Sequence, residues 1–332
     1  MMDKYLNTLL LVLGAGQIAL AAPLVANQHD KAAFDPSKGL KDYAGKTIIG
    51  SKSSDAAKKD SVIAGDYAEK CAELQLRNCT GLQVQIYPSF LGSWPGAAPQ
   101  TIETMSFKTE GLSALVNWGL AHHQETLHHM MIGPNQYFPP WFWKNNYTAE
   151  ELDQLLKRYI TTLMTANDNK SKMSGWNVFN EMFVFKADSG EYKKDGSERL
   201  NCVWMRMGFE SDQSGLKGEA KINEKHPVVF RKALTYASMA TGKLEIRDCE
   251  VEEINRKSDA LYQLIEHLLN SGVRVDAVGF QGHLRVNRSY NWDSIKKNIR
   301  RFKDLGLEVY ITELDISMGT AWKKGDPFPK DY

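Results

Sequence analysis

Two glutamates, Glu181 and Glu313, each close an apolar run, and together they are the residues from which chemistry can be built. In the stretch GWNVFNEMF (residues 175–183), Trp176, Val178 and Phe179 favour a strand. Gly175 breaks the chain before them, so Asn180 and Glu181 arrive at the strand's C-terminal tip. In GLEVYITELDIS (306–317) the β-branched run ends in Glu313. Two carboxylates at the ends of two buried strands can flank one bound group, one donating a proton while the other attacks or activates. Spacing alone leaves open that either is an ordinary rim charge, since exposed carboxylates are common. Gln136 and His283 also fall at predicted strand ends.

The elements that must position these residues alternate regularly. Strands are predicted at 46–50, 81–87, 126–132, 175–183, 243–247, 273–280 and 307–312. Helices are predicted at 66–76, 112–120, 149–166, 227–239, 257–269 and 292–305. The fullest start signal is Thr148-Ala149-Glu150-Glu151, a capping box in which hydroxyl and carboxylate exchange bonds with free backbone N–H groups. Strict strand–helix alternation means a parallel sheet, either doubly wound or closed as a barrel. No GxGxxG follows the first strand, and polar residues collect at strand C-terminal ends, so the expected fold class is an α/β (β/α)8 TIM barrel. Only seven strands are found. Nothing after residue 313 reads as an eighth strand or closing helix, so the barrel is expected to be incomplete at its C-terminus. A long polar insert, 186–226, interrupts the rhythm, and such loops are more often functional than idle.

Composition narrows the function classes. The net charge is +1, from 41 basic and 40 acidic residues, without the basic excess that nucleic acid or an anionic membrane calls for. Eight Trp and 13 Tyr serve equally as core filling or as stacking platforms for sugar faces. Trp94, Trp141, Trp143 and Trp204 fall in loops, where either role is open. Lys4 followed by the apolar run 8–22 and Ala19-Leu20-Ala21 reads as a secretory leader cleaved near Ala21 or Ala22. The expectation is a signal peptide at 1–22, one catalytic domain at 23–332, a secreted or periplasmic location and a monomer with no membrane contact after cleavage. Cys71, Cys79, Cys202 and Cys249 lack CxxC spacing, and His122, His123, His128 and His129 lack the HExxH pattern, so no metal or other cofactor is expected. Disulfide pairing stays open.

Three motifs add a resemblance. WNVFNEMF resembles the WDVVNEAF-type acid/base strand of glycoside hydrolase family 10, VYITELDIS resembles its ITELDI nucleophile strand, and AVGFQGHL (277–284) resembles the GIGxQxHL strand between them. The family consists mostly of endo-β-1,4-xylanases on a (β/α)8 barrel with a retaining mechanism. The resemblance implies Glu181 as general acid/base, Glu313 as nucleophile, and Asn180 bonded to the sugar 2-hydroxyl. It further implies Gln281 near the pair and His283 tuning Glu313 with Asp315 as its partner, while Gln136 and Trp141 keep the register of a substrate-binding third strand. The chain departs from the family in the second strand, where Gln83 and Gln85 stand in place of the ENxMKP motif. In the third, Gly133-Pro134 replaces a Trp-His pair, and Asn177 replaces the Asp of WDVVNE. The implied substrate is β-1,4-xylan or a related plant or algal β-glycan, taken as a polysaccharide or oligosaccharide. The alternative is a weakly active or inactive carbohydrate-binding protein on the same scaffold.

Overall fold

A ring of eight parallel strands places the two glutamates just beyond the C-terminal ends of two of its members. The computed structural model describes residues 11–13, 35, 37–54, 66–85, 101–102 and 104–317. Its strands in chain order are β1 (Leu11–Leu13), β2 (Ile49–Ser54), β3 (Gly81–Gln85), β4 (Glu125–His129), β5 (Gly175–Asn180), β6 (Phe209–Ser211), β7 (Lys225–Pro227), β8 (Lys243–Asp248), β9 (Ala277–Phe280), β10 (His283–Arg285), β11 (Glu308–Ile311) and β12 (Asp315–Ser317). The ring runs β1-β11-β9-β8-β5-β4-β3-β2. Two short ladders, β6 with β7 and β10 with β12, stand outside it.

The helices are α1 (Asp66–Asn78), α2 (Glu110–Ala121), α3 (Pro140–Trp143), α4 (Ala149–Thr165), α5 (Asn169–Lys172), α6 (Val228–Ala237), α7 (Arg256–Asn270) and α8 (Trp292–Asp304). The predicted capping box of α4 forms: Thr148 Oγ1 accepts from the Glu151 N–H at 3.2 Å, and the Glu151 carboxylate accepts from the Thr148 N–H at 2.7 Å. Leu152, Leu155, Leu156, Tyr159, Ile160 and Leu163 form the buried face of α4. They join a continuous core with α6, which contributes Val229, Phe230 and Leu234, and with the inner aromatics Trp176 and Phe179 of β5. A stripe this wide on one helix face is what lets it pack against a sheet instead of standing in water.

The seven predicted barrel strands are present, with ends shifted by a few residues. The open eighth position is filled, but not by a segment following β11, since no barrel strand follows it among the described residues. Instead β1, from the run read as a leader, pairs with β2 at Leu11↔Ile49, Val12↔Gly50 and Leu13↔Ser51, and with β11 at Leu11↔Ile311. The driving force is the backbone itself: two open sheet edges present rows of unpaired N–H and C=O groups, which a short extended segment satisfies. A leader cleaved at Ala21 or Ala22 would take this strand with it. No helix among the described residues is long and apolar enough to cross a membrane.

The polar insert is ordered around its own elements: a 3-10 turn at Val203–Met207, the antiparallel β6–β7 ladder, and the 183–192 bridge. Of the two roles open to the loop tryptophans, Trp143 and Trp204 take core packing. Trp204 is fully buried against Phe138 and Phe142, and Trp143 is buried with its indole N–H donating to the Phe138 carbonyl at 3.1 Å. Both rings belong to the continuous apolar core, where burial outweighs exposure to a ligand. Trp94 lies outside the described residues. Cys79, Cys202 and Cys249 are buried free thiols.

Candidate active site

The C-terminal rim of the ring is assembled from β5, β8, β9 and β11, which are contiguous in the ring apart from the order of chain entry. Asn180 ends β5, and Glu181 follows it in the left-handed region at φ 57°, its N–H donating to the Arg247 carbonyl at 3.1 Å. A non-glycine residue held there costs on the order of 1–3 kcal/mol, a strain that persists where surrounding bonds fix the position. The turn leaves the Glu181 side chain among three groups. Gln281, one residue beyond β9, donates from Nε2 to Glu181 Oε1 at 3.0 Å and to Asn180 Oδ1 at 3.2 Å, and Tyr137 Oη donates to Glu181 Oε2 at 3.3 Å. The Asn180 Nδ2 amide is buried and has no partner. It is a donor left without an acceptor among the described residues.

Glu313 follows β11, its N–H donating to the Gln281 carbonyl at 2.8 Å. Its carboxylate lies between two cations: Oε1 is 3.3 Å from Arg247 Nη1, and Oε2 is 3.4 Å from His283 Nε2. His283 and Asp315 are register partners in the β10–β12 ladder, so the Nδ1···Oδ2 contact of 2.9 Å follows from strand pairing. Gly282, at φ 78°, provides the turn that lifts His283 out of β9 towards Glu313.

Beneath the carboxylates the barrel interior is polar. Arg247 on β8 is fully buried and grips Glu245, two residues earlier on the same strand face, through Nε at 2.7 Å and Nη2 at 3.0 Å. Its Nη1 also donates to Gln83 Oε1 at 2.9 Å. Gly279, the register partner of Arg247 on β9, makes room for this pair: a Cβ there would run into Glu245 Oε1 and the Arg247 Cβ. Asn177 Nδ2 donates to the Phe179 carbonyl at 2.8 Å, and His129 Nδ1 lies between Asn177 Oδ1 at 2.9 Å and Arg247 Nη1 at 3.2 Å. Thus Gln83, His129 and Asn177, where the chain departs from the family motif or keeps its register, form one buried network around the arginine.

The two carboxylates are driven in opposite directions. Burial raises the Glu181 carboxyl above its ordinary value, and the negative charges of Asp248 and Glu313 push the same way, against the Gln281 hydrogen bond and the charge of Lys193. Burial alone would also raise Glu313, but the His283 hydrogen bond and the Arg247 and His283 charges reverse it and hold this carboxyl at about 2. His283 is raised in turn to about 9 by its bond to Glu313 and by Asp315, so it is an imidazolium at neutral pH. Burial and the Arg247 charge hold His129 down at about 3, so this ring is neutral beside Glu313.

Of the residues named from sequence, Asn180, Glu181, Gln281, His283, Glu313 and Asp315 come together in one bonded set. Gln136 and Trp141 do not join its bonds. The Gln136 N–H donates to the Arg199 carbonyl at 2.8 Å while, among the described residues, its half-buried side chain makes no hydrogen bond and the buried indole N–H of Trp141, packed edge-on against Phe142, has no partner. Sequence reading missed Tyr137 and Arg247. A Glu-x-Arg pair inside an otherwise buried strand was a usable signal for Arg247, because buried charges persist only when paired. Of the four histidines near the third strand, His122 and His123 are exposed, and only His129 reaches the site. A different cluster, Asp212, His226 and His267, brings ligand-type atoms within 4.8 Å of one another. Its ring nitrogens are already engaged by Tyr192, Asp212, Glu210 and the Gln213 N–H.

A parallel barrel with two oppositely tuned carboxylates on its C-terminal rim defines the glycosidase class of sites. Comparison with known proteins narrows the class. The profile of Glycosyl hydrolase family 10 matches residues 95–327, and the chain belongs to that family. It is 33% identical over 190 residues to endo-1,4-beta-xylanase B of Thermotoga neapolitana, a match covering 56% of this chain and 46% of the relative. It is 28% identical over 225 residues to endo-1,4-beta-xylanase A of Thermoanaerobacterium saccharolyticum, covering 64% of this chain and 17% of the relative. The chain therefore spans less than half the length of either relative. Among solved structures, native xylanase 10B of Thermotoga maritima superposes with a TM-score of 0.66 at 26% identity, covering 86% of this chain and 76% of that one. Xylanase 10B of Thermotoga petrophila RKU-1, solved with xylobiose, gives 0.65 at 25% identity, covering 86% and 75%.

Proposed function

We propose that this protein is a retaining glycoside hydrolase that cleaves β-1,4-linked xylan or a related β-glycan. The observation that carries the reading is the opposite tuning of two carboxyls joined through Gln281: Glu181 is held towards its protonated form and Glu313 is held ionised. The names of the matched relatives support xylan as the backbone.

In the first displacement Glu181 gives its proton to the glycosidic oxygen while Glu313 attacks the anomeric carbon. The leaving sugar departs as an alcohol, and a glycosyl ester forms on Glu313. Burial of Glu181 now serves the second displacement. As a carboxylate it draws a proton from water, which attacks the anomeric carbon and frees Glu313 with its charge restored. His283 and Arg247 hold one Glu313 oxygen each, fixing the orientation of the nucleophile and favouring its departure as a stable anion. The unpartnered Asn180 Nδ2 is the donor for a sugar hydroxyl next to the cleaved bond.

The test is hydrolysis of β-1,4-xylan and aryl β-xylosides by wild type and by Glu313→Ala, with the anomeric form of the first product followed by NMR. Turnover with retained configuration, lost in the variant, is expected. Inverted product, or equal turnover by both proteins, overturns the reading. Export rests on the run 8–22, and N-terminal sequencing of the protein recovered from its native source tests it. A mature N-terminus at 22 or 23 supports export, and an intact N-terminus overturns it.

A further inference from the structure

Directly after Glu181 the chain folds back on itself, and between residues 184 and 194 it bounds a recess of about 700 Å³. Lys186, Lys193, Lys194 and Arg256 line it, against the carboxylates of Asp188 and Glu191, and none of the four cations has a carboxylate within 4.0 Å among the described residues. Lys193 is the unusual one. Its residue is only 3% exposed, yet among the described residues its Nζ makes no hydrogen bond and no ion pair within 4.0 Å; it lies 3.5 Å from the Phe185 ring centroid, with the carboxylates of Asp248 and Glu181 acting on it from further away. Its neighbour Lys257, also buried, is by contrast paired with Asp248 at 2.6 Å. An ammonium so nearly enclosed with no carboxylate in contact is costly, and its tip, open to the recess, is where such a partner would bind. Burial accordingly draws the Lys193 ammonium below the ordinary lysine range. Phe185, 39% exposed, adds an aromatic surface at the same mouth.

We propose that this recess binds an anionic group carried by the carbohydrate chain, with Lys193 as its buried anchor and Lys186, Lys194 and Arg256 at its rim. The ligand class is an acidic sugar: a uronic-acid carboxylate or a sulfate ester on a β-glycan. The proposal rests on the hydrolase reading for the backbone it assumes. Its position, beginning three residues beyond Glu181, makes the recess a determinant of which glycans bring a scissile bond to the rim. A carboxylate or sulfate there would pair with Lys193 and receive charge-assisted bonds from the exposed lysines, while the sugar ring lies on Phe185. Neutral chains would gain none of these contacts.

The test is a binding titration by calorimetry, using Glu313→Ala protein so that binding is read apart from turnover. Three xylo-oligosaccharides of one backbone length are compared: unbranched, uronic-acid-branched and sulfated. An acidic ligand is expected to bind at least about tenfold more tightly than the neutral one at low salt, and the difference should shrink as salt is raised. Lys186→Ser with Lys194→Ser should abolish the preference while leaving the affinity for the neutral ligand unchanged, and Lys193→Met should likewise abolish the preference. The paired lysines are exposed, so that variant keeps its fold if Lys193→Met does not. Whichever acid binds more tightly identifies the anion. Equal binding of all three ligands, or a preference that survives both variants, overturns the proposal. If the wild type hydrolyses nothing yet acidic ligands are preferred, the hydrolase reading fails and the recess stands. If neutral chains are hydrolysed with no acidic preference, the recess alone fails.

Discussion

Replacing Arg247 with methionine separates two roles of one buried cation. The guanidinium is fully buried, clasps Glu245 at 2.7 and 3.0 Å, and lies 3.3 Å from Glu313. Loss of one partner of a buried pair costs about 3–5 kcal/mol, because Glu245 is left charged and enclosed. With about 2–4 °C of melting temperature per kcal/mol for a domain near this size, Arg247→Met should melt about 10 °C or more below wild type. The second role concerns Glu313. Coulomb's law at an effective dielectric of about 20 gives roughly 5 kcal/mol for unit charges at this separation. His283 still holds the other oxygen and the carboxylate is partly open to water, so the Glu313 carboxyl should rise by only about one to two pH units. The sign follows from linkage. A carboxyl held at about 2 instead of its ordinary 4.5 contributes stability that is complete above 4.5 and lost as pH falls towards 2. In the variant the loss still begins near 4.5 but ends at the higher folded value and is smaller, while the acidic limb of kcat/KM moves up with that folded value. The double variant Arg247→Met with Glu245→Met removes the orphaned charge, so it should recover most of the melting temperature but keep the displaced limb. Thermal unfolding and pH–rate profiles on an aryl β-xyloside read both effects. An acidic limb unchanged in both variants would refute the claim that Arg247 tunes the nucleophile.

Three further outcomes follow from the same geometry. Glu181→Ala should lower xylan hydrolysis by about 10²–10⁴ while sparing aryl glycosides whose leaving groups need no proton, and the basic limb set by the raised Glu181 carboxyl should disappear from the pH–rate profile. Gly279→Ala places a methyl against Glu245 Oε1 and the Arg247 Cβ, and chemical denaturation should show a loss of about 1–3 kcal/mol, with activity falling as Arg247 shifts. A chain begun at Leu24 lacks β1. It should unfold at a lower temperature and self-associate through the bared edges of β2 and β11, which thermal unfolding and sedimentation would detect.

Much of this could be read from sequence because the informative signals were local. The period of α4 lies within 17 residues and its capping box begins one residue before them, and the strand ends bearing Glu181 and Glu313 are marked by short apolar runs. What could not be read depends on which strands become neighbours. Arg247 sat unremarked at the end of a predicted strand because its partners, Gln83 and Glu313, come from β3 and the end of β11. Tyr137 reaches Glu181 from a loop whose path no periodicity reveals. Trp143 and Trp204 looked like loop aromatics because the insert that buries them has no repeating pattern, only a local core of its own. The run 8–22 carries the composition of a leader, and composition has nothing to say about the edge to which three of its residues pair.

That edge has a bearing on how the molecule comes together in time. Every other ring contact joins strands that follow one another along the chain or are separated only by the insert, whereas Leu11↔Ile311 joins the beginning of the described sequence to its end. Contacts of such long sequence separation give the least return per residue ordered until the rest of the ring exists, so this seam should form last and slowest. A nascent chain can pair β1 with β2 early, but the other edge of β1 stays open until β11, near the end of the described sequence, is made. The same single register pair is then the place where the finished ring first opens, and amide exchange at Leu11 and Ile311 should report that breathing ahead of the β5–β8 seam beneath the carboxylates.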